Sequence, residues 1–269
     1  MSTVVFLGGG RITSAMLAGL RLAKTRHSFI VHDRNPGKLR DLKKRYAVAV
    51  EPDLKCAVKQ ADVLIVAVRP SSVREVLRAL GNMNRALLGR TAMLAVSLAA
   101  GVPLRALSNL AGPSVRWARA MPSPVCRSGR GLTAVTFPRT LPRADRKRVH
   151  DFFASFGHVV EIPESKFDAF TVTYSCSHGY HALATLARAA QAAGLDRNTA
   201  LLASAHALAD GIVAWRDGKH SLEALLTEAA TPGGIAAATT TKMDAAGYGR
   251  AVGQGVAAGL RRARANAGK

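Results

Sequence analysis

Three cysteines in 269 residues, Cys56, Cys126 and Cys176, are too few and too scattered for a disulfide framework. No C-x-x-C or other metal-ligand spacing occurs, so no metal site is expected. The odd number of cysteines points to a reducing, cytoplasmic setting. Long apolar runs are also missing. The longest, at 63–68, falls far short of the roughly 20 residues that span a bilayer, so no membrane span is expected. Met1-Ser2-Thr3 runs straight into the first apolar stretch with no charged segment before it, and no signal peptide is expected. Acidic residues are scarce, 17 against 38 Lys and Arg, for a formal charge of +21. Residues 1–160 carry 27 basic and 8 acidic side chains, net +19, whereas 161–269 carry 11 and 9, net +2. A basic surface attracts polyanions non-specifically. Aromatic residues, however, do not interleave the basic runs Lys43-Lys44-Arg45 and Arg146-Lys147-Arg148. These runs read as solvated helix faces, so no specific nucleic-acid partner is expected.

The chain is long enough for two modest domains. Its first part alternates strand-like runs (4–7, 29–32, 48–50, 63–68, 92–97, 114–120, 132–136) with helical patterns between the first five. That alternation argues for an α/β fold, a parallel sheet with helices on both faces. A helix with a basic outer face follows at 139–156, and 158–162 reads as a last edge strand. After Pro163 the composition turns to Ala, Leu and Gly with helical periodicity, and helices are expected at 166–193, 197–215, 221–229, 232–245 and 248–266. The natural cut is therefore 1–162 and 163–269. Helix faces this rich in small residues pack closely, which predicts a homo-oligomer, at least a homodimer, joined through the helical part; a self-contained bundle is the alternative. The end of the chain, 263–269, is expected to fray.

The first strand stops on Gly8-Gly9-Gly10, and an amphipathic helix starts at once (Ala15, Met16, Leu17, Leu20, Leu22). Glycine lets the backbone turn sharply and approach a pyrophosphate, and the helix behind it offers free N–H groups and a positive dipole end. Thr13 stands where this kind of turn usually has Gly or Ala. About 20 residues past the turn, the second strand ends on His32-Asp33-Arg34, where an acid commonly binds the ribose hydroxyls of NAD and an Arg can hold the 2′-phosphate of NADP. Arg34, with Lys38 one turn on, favours NADP(H) over NAD(H); the plain alternative is a solvated helix start. His32 reads as a strand-end surface residue, with contact to the adenine edge as the alternative.

Further short signatures close other strands: Ala67-Val68-Arg69-Pro70, Ser97-Leu98-Ala99-Ala100-Gly101-Val102, and Arg119-Ala120-Met121-Pro122 followed by Gly129-Arg130-Gly131-Leu132-Thr133. Thr231-Pro232-Gly233-Gly234 lies far downstream. Strand C-termini are where ligands bind in open α/β sheets. In this order, these signatures resemble the pyrroline-5-carboxylate reductase family over nearly the whole chain, from Gly8 to about Arg262. The resemblance implies an N-terminal Rossmann-type doubly wound domain followed by an all-α C-terminal dimerisation domain. It also implies NAD(P)H-dependent reduction of a cyclic imine carboxylate, 1-pyrroline-5-carboxylate to proline or a related imine acid. By the same resemblance, Gly8, Gly10, Arg11 and Ile12 hold the pyrophosphate, Asp33, Arg34 and Asn35 sit at the adenosine ribose, Val68, Arg69 and Pro70 lie along the cofactor, and Met121 and Pro122 lie beside the nicotinamide.

The departures fall on the substrate side. Ser123-Pro124-Val125 replaces the family's Asn-Thr-Pro, and Tyr174-Ser175-Cys176-Ser177-His178-Gly179-Tyr180-His181 stands in the region of its Ser-Gly-Ser-Gly-Pro-Ala-Tyr helix start. Ile235 and Ala236 stand where the family has two threonines after the paired glycines, so a hydroxyl that hydrogen-bonds the substrate there is absent. Thr231 reads as a helix N-cap with Pro232 in the first turn. Thr231, Gly233, Gly234, Ile235 and Ala236 would then bind a substrate carboxylate through backbone N–H groups. His178, Tyr180 and His181 are candidate proton donors; the alternative is that they are helix-start surface or interface residues. A cofactor-binding homologue that has lost the reaction is the alternative reading of the whole chain.

Overall fold

A computed structural model describes residues 2–83 and 92–267. The first elements are β1 (Thr3–Leu7), α1 (Arg11–Leu22), β2 (Ser28–His32), α2 (Pro36–Tyr46), β3 (Ala49–Val50), α3 (Leu54–Lys59), β4 (Val63–Val66), α4 (Pro70–Gly81) and β5 (Met93–Ser97). Next come α5 (Leu104–Ala111), β6 (Val115–Met121), a short 3₁₀ helix (Pro124–Ser128), β7 (Gly131–Thr136), α6 (Arg143–Ala154) and β8 (Gly157–Glu161). The remainder is helical: α7 (Glu164–Thr173), α8 (Cys176–Ala192), α9 (Arg197–Asp217), α10 (Leu222–Ala229), α11 (Ile235–Ala245) and α12 (Tyr248–Ala267).

The eight strands form one sheet in the order β3-β2-β1-β4-β5-β6-β7-β8. The first six are parallel to their neighbours. The expected parallel sheet needs one correction. β7 runs antiparallel to β6, because only the short 3₁₀ turn joins them and a parallel return needs a long crossover. β8 follows β7 in parallel through α6 and forms the edge, as expected of 158–162.

β1 and β4 are apolar almost throughout because both faces of the sheet are covered. Alternate residues feed separate cores. Val4 and Phe6 join Met16, Leu17 and Leu20 of α1 and the aromatic trio Phe152, Phe153 and Phe156 on one side. Val5 and Leu7 join Val73, Leu77 and Leu80 of α4, with Leu107 and Trp117, on the other. The sheet is thereby rigid where its strand ends carry the glycine turn.

The chain divides into two compact units, Met1–Tyr174 with Gly259–Lys269, and Ser175–Ala258. Composition changes at 163, but α7 belongs with the sheet. Arg119, at 2% exposure, lies 3.2 Å from Glu164 and 3.4 Å from Asp168, and its guanidinium sits 4.3 Å over the Phe167 ring. Glu164 also accepts from the Leu104 N–H at 2.6 Å, which satisfies the start of α5. The single helix expected over 166–193 is broken at Tyr174 and Ser175, where the Tyr174 hydroxyl accepts from the Leu132 N–H of β7 at 2.7 Å. The expected fraying of 263–269 is also corrected. α12 continues through Ala267, Ala263 is buried, and the Asn266 amide donates to the Ala100 carbonyl at 3.2 Å; residues 268–269 lie outside the described residues.

In the second unit, α8 and α9 pack as a pair. Its interior is small. Ala187, Ala200 and Ser204 are buried, whereas Leu202, Ile212, Trp215 and Leu226 are exposed in the single chain.

Candidate active site

β1 delivers the glycine turn at the head of α1. Gly8 adopts φ +113, and a Cβ built on it would stand 2.9 Å from the Ala67 carbonyl oxygen and 3.1 Å from the Val68 nitrogen. Only glycine fits, because the turn lies hard against the chain leaving β4. Gly10 is the N-cap of α1, makes no side-chain cap and faces open space. The N–H groups of Arg11, Ile12 and Thr13 have no acceptor within the helix, and no acid sits in the first turn. Thr13 is fully buried and donates its hydroxyl to the Gly8 carbonyl, so the larger side chain is absorbed as a brace for the turn. This is a cradle for an anion, with the dipole of α1 behind it.

Asp33 braces the turn from the side. Its Oδ2 accepts from the Gly9 N–H at 2.8 Å and lies 3.3 Å from the Lys38 ammonium, while Oδ1 accepts from the Asn35 N–H at 2.8 Å. Partial burial pushes its carboxyl up, but the Asn35 and Gly9 N–H groups and the Lys38 charge outweigh it and hold the group below its ordinary value. Asn35 caps α2, accepting from the Gly37 and Lys38 N–H groups at 2.9 and 3.2 Å. Arg34 Nη1 donates to both carboxylate oxygens of Glu75 on α4, at 2.9 and 3.1 Å.

A cleft of about 700 Å³ opens over these strand ends. Gly8, Gly10, Arg11, Ile12, Asp33, Arg34, Val68 and Arg69 line it. Asn35 and Pro70 are not in its wall; they are the N-cap of α2 and the first residue of α4. Met121 and Pro122 are not in its wall. Met121 ends β6 opposite Ala134, and Pro122 is buried behind it. Lys38, read with Arg34 in the sequence, also lines the cleft; Ser72 and Glu75 line it without having been singled out, since their helix hides their facing in the sequence. His32 is not the surface residue expected. It is 9% exposed, its Nδ1 lies 3.0 Å from the Glu51 carbonyl oxygen, and it forms part of the cleft wall. Burial pushes the Cys126 thiol up to about 11, so it is no nucleophile at neutral pH.

The substrate-side candidates all lie in the second unit. Thr231 is not the N-cap of the helix. Thr231-Pro232-Gly233-Gly234 forms a tight turn closed by the Gly234 N–H donating to the Thr231 carbonyl at 3.0 Å, with Gly233 at φ +78. Pro at the second position and a left-handed Gly at the third are what a type II turn requires. Gly234 is then the N-cap, with no side-chain cap, and α11 begins at Ile235, whose side chain is 89% exposed. The first N–H groups of α11, those of Ile235 and Ala236 included, are left without helix acceptors. His178, Tyr180 and His181 fall in the first two turns of α8 and are exposed in the single chain. Beside them the Ser175 and Ser177 hydroxyls are 2.7 Å apart.

Residues 3–92 match the family model described as NADP oxidoreductase coenzyme F420-dependent, and residues 164–266 match that of pyrroline-5-carboxylate reductase dimerisation. The chain is 31% identical over 204 residues to a pyrroline-5-carboxylate reductase of Corynebacterium melassecola, covering 74% of each chain. It is 29% identical over 261 residues to one of Synechocystis, covering 95% of each. Its fold matches that of Plasmodium falciparum pyrroline carboxylate reductase with NADP bound, at TM-score 0.87, 20% identity and 99% and 98% coverage. It also matches 1-pyrroline-5-carboxylate reductase of Streptococcus pyogenes, at TM-score 0.88, 22% identity and 98% coverage of each chain. With the glycine cradle, the strand-end signatures and this likeness over most of its length, the chain belongs to the pyrroline-5-carboxylate reductase family.

Proposed function

We propose that this protein is an NAD(P)H-dependent reductase that converts 1-pyrroline-5-carboxylate to proline, with NADP(H) favoured over NAD(H). The glycine cradle carries the reading, since a backbone pressed against Ala67 and an uncapped helix start suit a diphosphate and little else. When bound, the dinucleotide supplies the hydride that reduces the C=N carbon. The protein's part is to hold and orient. Gly8, Gly10, Arg11 and Ile12 take the diphosphate; Asp33, Arg34 and Asn35 take the adenosine ribose; Val68, Arg69 and Pro70 flank the cofactor, with Met121 and Pro122 towards the nicotinamide. The N–H groups of Ile235 and Ala236, beyond the Thr231–Gly234 turn, take the substrate carboxylate without any side chain. The imine nitrogen gains one proton, and His178, Tyr180 and His181 are the donors proposed for it. Exposed apolar residues of the second unit, with the dimerisation family it matches, support a homodimer or larger homo-oligomer. Scattered, unpaired cysteines support a cytoplasmic setting. Among the described residues no helix is long and apolar enough to cross a membrane.

Purified protein with NADPH and pyrroline-5-carboxylate is expected to lose the nicotinamide absorbance as proline forms. Replacing the true donor, His178→Ala or His181→Ala, is expected to cut turnover and leave nucleotide affinity unchanged; unchanged turnover in both removes the two histidines from the chemistry. Ile235 and Ala236 favour a second reading, a homologue that binds cofactor but has lost the reaction. Retained nucleotide binding with no turnover of any small cyclic imine acid would select it.

A further inference from the structure

Where the cleft meets the adenosine end of the proposed cofactor, the Arg34 guanidinium, two residues past β2, is already engaged. Arg34 Nη1 reaches both oxygens of Glu75, at 2.9 and 3.1 Å, from side chains 72% and 65% exposed. Asp33, the neighbouring acid, has both oxygens committed, to the Gly9 and Asn35 N–H groups and to Lys38. Lys38 is thereby partly neutralised too. NADP(H) and NAD(H) differ only by the phosphate on the adenosine ribose, so discrimination depends on which cations are free to meet it.

Resting on the reading of this cleft as a dinucleotide site, we propose that Glu75 is a specificity-determining residue that limits the preference for NADP(H). A 2′-phosphate carries a charge of about −1.5 to −2 and seeks the same guanidinium that Glu75 holds. It must break the Arg34–Glu75 pair and tolerate the freed carboxylate nearby. NAD(H) leaves the pair intact and gains nothing from breaking it. Arg34 on its own would make a strong 2′-phosphate site; Arg34 with Glu75 makes a weak one that accepts both cofactors.

The test needs no turnover. Dissociation constants of NADPH, NADH, 2′,5′-ADP and 5′-AMP are measured by calorimetry for the native protein and for Glu75→Gln, at low and high salt. The expected result is that Glu75→Gln tightens NADPH and 2′,5′-ADP about fivefold, as suits an exposed pair facing a dianion. NADH and 5′-AMP stay unchanged, which also shows that the variant is folded. The gain shrinks at high salt, because both groups are exposed. Glu75→Ala, which removes the acceptor as well as the charge, shifts the NADPH/NADH ratio the same way. Unchanged or weaker NADPH binding in the variants, or an equal change for both cofactors, overturns the role of Glu75 while leaving the cleft a dinucleotide site. Native protein that binds none of the four overturns the cofactor reading itself, and the proposal with it.

Discussion

Gly8 and Asp33 show how much rests on single atoms in this fold. Gly8 combines φ +113 with a near neighbour in the Ala67 carbonyl. Gly8→Ala is therefore expected to cost about 2 kcal/mol or more, from the strained backbone and the close contact together. It is also expected to weaken nucleotide binding, and thermal melts with and without NADPH measure both effects. Asp33 is a carboxylate whose folded pKa lies below its ordinary value of 3.8. A group lowered in this way stabilises the fold fully above that ordinary value, and its contribution is lost as pH falls from there through the lower folded value. The turn it braces at Gly9 and Asn35 should loosen over that acid range. Asp33→Asn is expected to flatten the stability profile there, in chemical denaturation measured across pH, and a slope equal to that of the native protein would refute the assignment.

At the scale of elements, the joint between β6 and α7 matters most. Arg119 is buried between Glu164, Asp168 and the Phe167 ring, and Glu164 in turn holds the start of α5. Removing one partner of a buried ion pair leaves the others uncompensated, so Arg119→Ala is expected to cost about 3 kcal/mol in urea denaturation. Arg119→Lys recovers only part of this loss, since an ammonium cannot span two carboxylates and a ring as a planar guanidinium does. In the sequence, Arg119 stands out only as the first residue of a strand-end signature; nothing there reveals that its charge is internal. The turn before α11 gives a similar lesson. Thr-Pro-Gly-Gly reads equally well as a cap followed by a helix or as a type II turn followed by a helix. Gly233 in the left-handed region decides for the turn.

For the whole molecule, polar and apolar surplus sit in different places. The basic excess lies in residues 1–160, the part that forms the cleft, where it draws anionic ligands in. The apolar surplus lies on the second unit, where Leu202, Ile212, Trp215 and Leu226 are exposed in a single chain. Large exposed apolar groups on a unit that matches a dimerisation family suit an association surface. Leu202→Glu with Ile212→Glu is expected to lower the assembly to monomers in analytical ultracentrifugation. A doubly substituted protein that sediments as the native one does would show that these side chains are not at the interface.

The α/β alternation, the glycine turn, the acid–arginine pair after β2 and the change to helices are legible along the chain, because each is written in local periodicity or in residues with narrow backbone preferences. The antiparallel return of β7 to β6 departs from that alternation, because the connection there is too short for a crossover helix. The burial of His32 and Arg119 is not local, nor is the docking of Ala263 and Asn266 beside Ala100, because burial is a property of what the rest of the chain brings to a residue. That Arg34 faces Glu75 across 41 positions of sequence follows only from the folded arrangement. Residues so far apart meet only when the sheet sets the end of β2 and the middle of α4 at the same cleft, and that meeting is what is proposed to limit the cofactor site's selectivity.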